Sequence, residues 1–174
     1  MLTTLLLLPL TGALLIALLP TALQTAARPL ALLASAATLA WAIYLLSGFD
    51  AANPALQFAE QVRWNPRLGS VYALGVDGLS LPMVLLAGLL SLIAIAASRV
   101  TERMRGYYLL ILVLESAMLG VFTAQDWSLF YIFWELTLIP LFFLIDRWGG
   151  KQRHTAALNF VLYTMGGSVF MLIS

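Results

Sequence analysis

Six stretches of the sequence are each apolar over about the length that a helix needs to cross a membrane. They cover residues 2–19, 30–48, 79–98, 107–124, 128–146 and 156–174. Crossing about 30 Å of hydrocarbon takes roughly 20 apolar residues in a helix. Only 10% of the 174 residues are charged, against about 25% in soluble domains. The sequence therefore predicts an all-α, multi-pass integral membrane protein with six transmembrane helices.

The residue types present exclude several kinds of redox site within this chain. Cysteine is absent, so neither disulfides nor thiolate-held iron–sulfur clusters can form. The single histidine, His154, cannot build a bis-histidine haem site alone. Neither a G-x-G-x-x-G nor a Walker A pattern occurs. If the chain takes part in redox chemistry, a partner must carry the cofactor.

The orientation in the membrane follows from the distribution of lysine and arginine among the loops. The first, third and fifth loops together carry seven cationic residues: Arg28, Arg99, Arg103, Arg105, Arg147, Lys151 and Arg153. The second and fourth loops carry two, Arg63 and Arg67. This asymmetry predicts that the odd loops face the cytoplasm or its equivalent and that the N-terminus faces outward. The sixth stretch reaches Ser174 without a flanking charge or aromatic anchor, which favours an N-terminal portion of a longer protein.

The longest connection, residues 49–78, predicts a small ordered cap on the outward side. It ends in GVDGLSLP, where Asp77 and Ser80 are typical residues for the start of a helix. We divide the chain there: residues 1–78 hold the first two helices and the outward loop, and residues 79–174 hold helices three to six.

Two carboxylates interrupt the apolar stretches. Glu115 lies near the middle of the fourth stretch and Glu135 near the middle of the fifth. An acid at the centre of a transmembrane helix costs roughly 2.5–3.5 kcal/mol and usually faces a bundle interior or a wet cavity. Both acids lie about ten residues from the short turn between the two helices, so we expect them at similar depth. They are the candidate proton-carrying groups, the alternative being neutral acids that serve only packing.

Proline and glycine mark three further positions. Pro140 lies five residues after Glu135 and predicts either a local break or freed carbonyl beside the acid, or a proline that is tolerated within a transmembrane helix. Gly149 and Gly150 suit a left-handed helix stop. Small residues at positions 166–168 predict a close helix contact in the sixth helix.

Three long strings point to a family. These are GVDGLSLP, LESAMLGVFTAQDWSLFYIFWELTLIPLFFLIDRWGG and LNFVLYTMGGSVFMLI. Together they resemble the antiporter-like membrane subunits of respiratory and photosynthetic complex I, NAD(P)H–quinone oxidoreductase, called NuoM, NdhD or chain 4. The resemblance is strong from about residue 72 onward.

The resemblance implies both a fold and a role. The family fold has about fourteen transmembrane helices with two inverted repeats, of which this chain would hold the first six. The role is proton translocation by a subunit without a redox centre. Glu135 and Glu115 match the family's glutamates on its fifth and fourth helices. Asn159 stands where the family usually has a lysine, which leaves the entry for protons on the sixth helix without a charge.

The implied cofactors and partners lie outside this chain. NAD(P)H or ferredoxin, FMN, iron–sulfur clusters and quinone would be carried by partner subunits, and this chain would contact other membrane-arm subunits and the lipid bilayer. The membrane would be a bacterial inner membrane or a thylakoid. The alternatives are a subunit of a multi-chain sodium/proton antiporter and a purely structural membrane subunit.

Overall fold

In a computed structural model, the described residues, 1–65 and 70–173, form six α-helices, one short 3₁₀ helix (Thr21–Ala26) and one β-hairpin. The helices are α1 (Leu2–Leu18), α2 (Ala27–Ser47), α3 (Ser80–Ala97), α4 (Met104–Thr123), α5 (Trp127–Trp148) and α6 (Arg153–Ile173). Each lies within a few residues of a predicted span. Five of the six apolar helices are long enough to cross a membrane by length and composition, while α1 has 17 residues and includes Pro9. The all-α membrane fold class is therefore confirmed.

Consecutive helices alternate in direction, so the chain has two ends. One end carries the N-terminus, the hairpin and the α4–α5 turn, and we call it the hairpin end. The opposite end carries the α1–α2, α3–α4 and α5–α6 connections, and we call it the cationic end because it holds the seven cationic residues of the odd loops. Of the two cations predicted for the even loops, Arg63 lies in the hairpin, and Arg67 lies outside the described residues.

The 49–78 connection folds as an antiparallel hairpin of β1 (Gln57–Asn65) and β2 (Ser70–Val76). The sequence predicts an ordered cap here but not its strands. The signal that would have found them is a run of Val and Tyr in residues 70–76 that follows proline and glycine. The hairpin is fastened to the helices, because Gln125 at the α4–α5 turn donates its backbone N–H to the carbonyl of Ala73 at 2.9 Å.

The first four helices pack closely around two apolar clusters. At the hairpin end, Leu5 and Leu45 pack with residues of α3 and β2. At the cationic end, Ile16 and Tyr108 pack with residues of α2 and α3. The contact of α1 with α2 is close enough that a Cβ on Gly12 would lie 2.4 Å from the Cβ of Ala34. This half of the molecule is a closed bundle.

The last two helices are open by comparison. Only Ala157 and Ser168 are buried in α6. Gly166 and Gly167 have no atom within 4 Å of the position that a Cβ would take. Of the three small residues predicted to form a close helix contact, Ser168 does contact α5, whereas Gly166 and Gly167 face open space among the described residues.

The glycine that ends α5 does not adopt the left-handed conformation that the sequence predicts. Gly149 has φ −70° and ψ −178°, which is extended backbone open to any residue. Glycine is required there by space, since a Cβ would lie 2.3 Å from the carbonyl oxygen of Ile145. The backbone of Gly149 therefore lies too close to the last turn of α5 for a residue with a side chain.

Candidate functional site: two buried glutamates

Glu135 lies on α5, which begins beside the hairpin. Asp126 precedes the helix and accepts a hydrogen bond from the backbone N–H of Leu129 at 3.0 Å, so it caps the first turn. The side chain of Glu135 is half-buried. Its Oε1 accepts a hydrogen bond from the hydroxyl of Ser168 on α6 at 2.5 Å. The glutamate is therefore held by the neighbouring helix in the open half of the molecule.

A groove of about 760 Å³ runs between α5 and α6 beside this pair. Its lining is mostly apolar and includes, besides Glu135, Tyr131, Leu138, Phe142, Leu158, Leu162 and Met165. An ionisable side chain in apolar surroundings is costly unless it is paired or neutral. Glu135 thus supplies the one carboxyl group among the described residues that line this groove.

Pro140 does not break α5. The helix runs without interruption from Trp127 to Trp148, and Pro140 is buried within it. The helix is therefore continuous through Pro140, which fits the alternative of a proline tolerated within a transmembrane helix. The lack of an N–H on proline still removes a donor for the carbonyl of Leu136, one residue after Glu135.

Glu115 lies in the closed half and is fully buried. Its Oε1 accepts a hydrogen bond from the hydroxyl of Ser35 on α2 at 3.0 Å. Its Oε2 has no hydrogen-bond partner among the described residues. A buried carboxyl with one oxygen unpaired is unusual, since buried polar groups are generally hydrogen-bonded.

The structure gives the two glutamates different partners on different helices. No hydrogen bond joins them among the described residues: Glu115 meets α2 and Glu135 meets α6. The sequence predicts both acids as site residues, but it predicts neither of the two serine hydroxyls as their hydrogen-bond donors. A lone serine in an apolar helix is common enough that no pattern marks Ser35, whereas Ser168 was seen only as one of three small residues.

The other polar positions singled out in the sequence serve the helix ends. Asp77 accepts hydrogen bonds from the backbone N–H groups of Leu79 and Ser80, at 3.0 and 2.7 Å. These bonds, from Ser80 first, lower the pKa of Asp77. The hydroxyl of Ser80 accepts in return from the N–H of Asp77 at 2.9 Å. The arrangement resembles a capping box at the start of α3.

His154 lies in the α5–α6 region of the cationic end. Its Nδ1 is 2.5 Å from Oδ1 of Asp146, and both line a polar cavity of about 330 Å³. Among the described residues, no group of three or more His, Asp or Glu side chains has the arrangement of a metal site.

Comparisons with known proteins identify the class. Residues 124–174 match the family described as NADH:quinone oxidoreductase/Mrp antiporter, TM. A chain of respiratory complex I from Thermus thermophilus with bound NADH superposes with a TM-score of 0.85 at 32% identity, over 99% of this chain and 34% of that one. A chain of the Mrp complex from Dietzia sp. DQ12-45-1b does so with a TM-score of 0.79 at 26% identity, over 99% and 18%. The fold is that of the antiporter-like membrane subunits.

A relative with higher sequence identity shows which proteins of this class the chain is similar to. NAD(P)H-quinone oxidoreductase chain 4 2 of Trichodesmium erythraeum (strain IMS101) is 44% identical over 175 residues, which are 99% of this chain and 31% of the relative. The resemblance seen in the sequence is confirmed: the chain is a homologue of the chain 4 proteins of NAD(P)H-quinone oxidoreductase. It spans about a third of the length of this relative.

Proposed function

We propose that this chain is part of a proton-translocating membrane subunit of an NAD(P)H–quinone oxidoreductase, complex I. In this role it has no redox centre. The electron donor, NAD(P)H or ferredoxin, and the FMN, iron–sulfur clusters and quinone are bound by other subunits. Its partners are the other membrane-arm subunits and the lipid bilayer. The names of its relatives support this assignment.

The observation that carries the proposal is the environment of Glu135. The carboxyl group lies near the middle of an apolar helix, beside an apolar groove, with a hydroxyl donor on the next helix. A polar group in such a place is costly, so it is expected where a change of charge is useful. Uptake of a proton neutralises the carboxylate, and release restores its charge. Coupling of these two states to the redox reaction would move protons.

The sodium/proton antiporter role is the second candidate, because the Mrp complex chain shares the fold over almost the whole of this chain. The same buried acids would then couple proton transfer to sodium transfer. Complex I is favoured because the chain 4 relative is 44% identical, against 26% for the Mrp complex chain. Sodium-dependent proton flux without quinone reduction would support the antiporter instead.

The test is Glu135→Gln in the complete complex, with proton pumping per electron and assembly on a native gel as readouts. Glutamine keeps the shape and part of the hydrogen bonding but cannot titrate, so assembly should survive and pumping should be lost. Glu135→Asp should give an intermediate loss, and Glu115→Gln a milder one. Glu102→Gln, at an exposed position, is the matched control and should pump like the parent.

Pumping by an assembled Glu135→Gln complex at the parental rate would refute the proton-carrying role. Glu135 would then be a neutral packing group, and the alternative of a structural subunit would be favoured.

We further propose an orientation of the chain in the membrane and a role for each of its two segments. The seven cations of the odd loops would place the cationic end in the cytoplasm or its equivalent, with the N-terminus outward, in a bacterial inner membrane or a thylakoid. Residues 79–174 would begin the proton-translocating domain, and residues 1–78 would add two helices and the outward hairpin.

A further inference from the structure

The hydroxyl of Ser35 lies in a fully buried polar contact of the closed bundle. Both Ser35 and Glu115 are fully buried, and they come from α2 and α4, two helices far apart in sequence. The 3.0 Å hydrogen bond runs from Ser35 Oγ to Glu115 Oε1. A hydroxyl removed from water without a partner would be costly, so the two groups satisfy each other.

The two oxygens of Glu115 differ in their surroundings. Oε1 has the serine hydroxyl, whereas Oε2 is buried without a hydrogen-bond partner among the described residues. A neutral carboxylic acid has one oxygen that carries the proton and one that accepts hydrogen bonds. The contact with Ser35 therefore selects Oε1 as the acceptor.

Other buried hydroxyls nearby do not serve Glu115. Ser116, the next residue in α4, donates to the backbone carbonyl of Leu6 on α1 at 2.8 Å. Thr38, one turn after Ser35 in α2, donates to the carbonyl of Ala34 at 2.9 Å. Ser35 is therefore the hydroxyl that distinguishes the two oxygens of the acid.

We propose that Ser35 is a positioning residue for Glu115: it holds Oε1 as an acceptor and leaves Oε2 as the oxygen that binds and releases the proton. The inference rests on the proposed function, proton translocation, in which Glu115 is the second candidate proton-carrying group beside Glu135. The O–H bond forms at Oε2 when a hydronium ion gives up its proton and becomes water, and it breaks when a water molecule takes the proton back. No electrons are transferred, and the hydroxyl of Ser35 keeps its own proton throughout.

The experiment uses the complete complex with Ser35→Ala, and infrared difference spectroscopy reads the carboxyl group directly. Glu115→Gln identifies the carbonyl stretching band of protonated Glu115 by its disappearance. In Ser35→Ala this band should move to higher wavenumber, because the carbonyl loses its hydrogen-bond donor. Proton pumping should slow by roughly two- to tenfold, as expected for a lost hydrogen bond to an ionisable group.

Two further variants separate positioning from packing. Ser35→Thr restores a hydroxyl and should return the band to the parental position. Ser116→Ala removes an equally buried hydroxyl next to Glu115 in sequence and should leave the band in place. An unmoved band in Ser35→Ala, or an equal movement in Ser116→Ala, would overturn the inference.

The two proposals fail in distinguishable ways. If Glu135→Gln pumps normally while the Glu115 band still moves in Ser35→Ala, the proposed function is lost and the positioning contact stands. If Glu135→Gln abolishes pumping while Ser35→Ala changes neither band nor pumping, only the role of Ser35 is lost.

Discussion

The two ends of the molecule use opposite charges for the same task. At the hairpin end, where α1, α3 and α5 begin, carboxylates accept hydrogen bonds from helix N–H groups. Glu60 binds the start of α1, Asp77 that of α3 and Asp126 that of α5. At the cationic end, guanidinium groups donate to carbonyls at the ends of the same helices. Arg105 binds Ala17 of α1 at 2.6 Å and Arg28 binds Ala96 of α3 at 2.7 Å.

This difference follows from the direction of the odd-numbered helices. Their N-termini carry unpaired N–H groups and a partial positive charge, and their C-termini carry unpaired carbonyls and a partial negative charge. The two ends of α5 follow the same pattern. Asp126 caps its first turn, and Arg153 donates to the carbonyl of Arg147 in its last turn at 3.0 Å. Three of the seven cations on which the predicted orientation rests therefore also bind carbonyls at helix ends.

The largest expected effect concerns which side of the membrane each end faces. Cysteines introduced as Ala55→Cys, at the hairpin end, and Gln152→Cys, at the cationic end, should react with an impermeant thiol reagent from opposite sides. The parent chain has no cysteine, so it is its own unlabelled control. Reaction of both cysteines from one side would contradict the arrangement of two opposite ends.

Much of this arrangement was predictable, and the missing part has a physical reason. Six apolar runs and short loops suffice to predict alternating helices, and loop cations predict the ends. The partners of Glu60 could not be predicted, because a capping carboxylate supplied by a strand is far from its helix in sequence. Ser35 and Glu115 illustrate the same limit within the bundle: the facing of two helices depends on packing that no single sequence displays.

A smaller effect is expected at the hairpin end. Glu60 accepts hydrogen bonds from the N–H groups of Leu2 and Thr3, at 2.8 and 3.1 Å, and also contacts the terminal ammonium group and the hydroxyl of Thr3. Burial alone would raise the pKa of Glu60, but these contacts outweigh it and lower the pKa from 4.5 to about 2. Glu60→Gln should therefore cost about 1 kcal/mol of unfolding free energy near neutral pH.

The pH dependence of the unfolding free energy tests whether the charge of Glu60 causes this loss of stability. A lowered pKa means that the contact stabilises the fold above pH 4.5 and loses its effect as the pH falls towards 2. The difference between parent and Glu60→Gln, measured by unfolding in mixed detergent micelles, should shrink over that interval. A difference that stays constant with pH would show that the charge of Glu60 is not responsible.

The smallest effect is expected at the cationic end. Arg105→Gln removes the donor to the last carbonyls of α1 and should cost about 0.3–1 kcal/mol, the usual range for a charge at a helix end. Lys151→Gln, an exposed position at the same end, should leave the unfolding free energy unchanged. Equal losses in both variants would indicate a general effect of net charge rather than a helix-end contact.

The order in which the chain is synthesised affects the Ser35–Glu115 and Ser168–Glu135 contacts differently. Ser35 is made before Glu115, so α2 is already available when the fourth helix enters the membrane. Ser168 is made after Glu135, so the fifth helix reaches the membrane before the sixth helix, which carries its hydrogen-bond donor. An acid in mid-helix carries an insertion cost of roughly 2.5–3.5 kcal/mol. Glu115 can share that cost with its donor during biogenesis, whereas Glu135 enters the bilayer without Ser168.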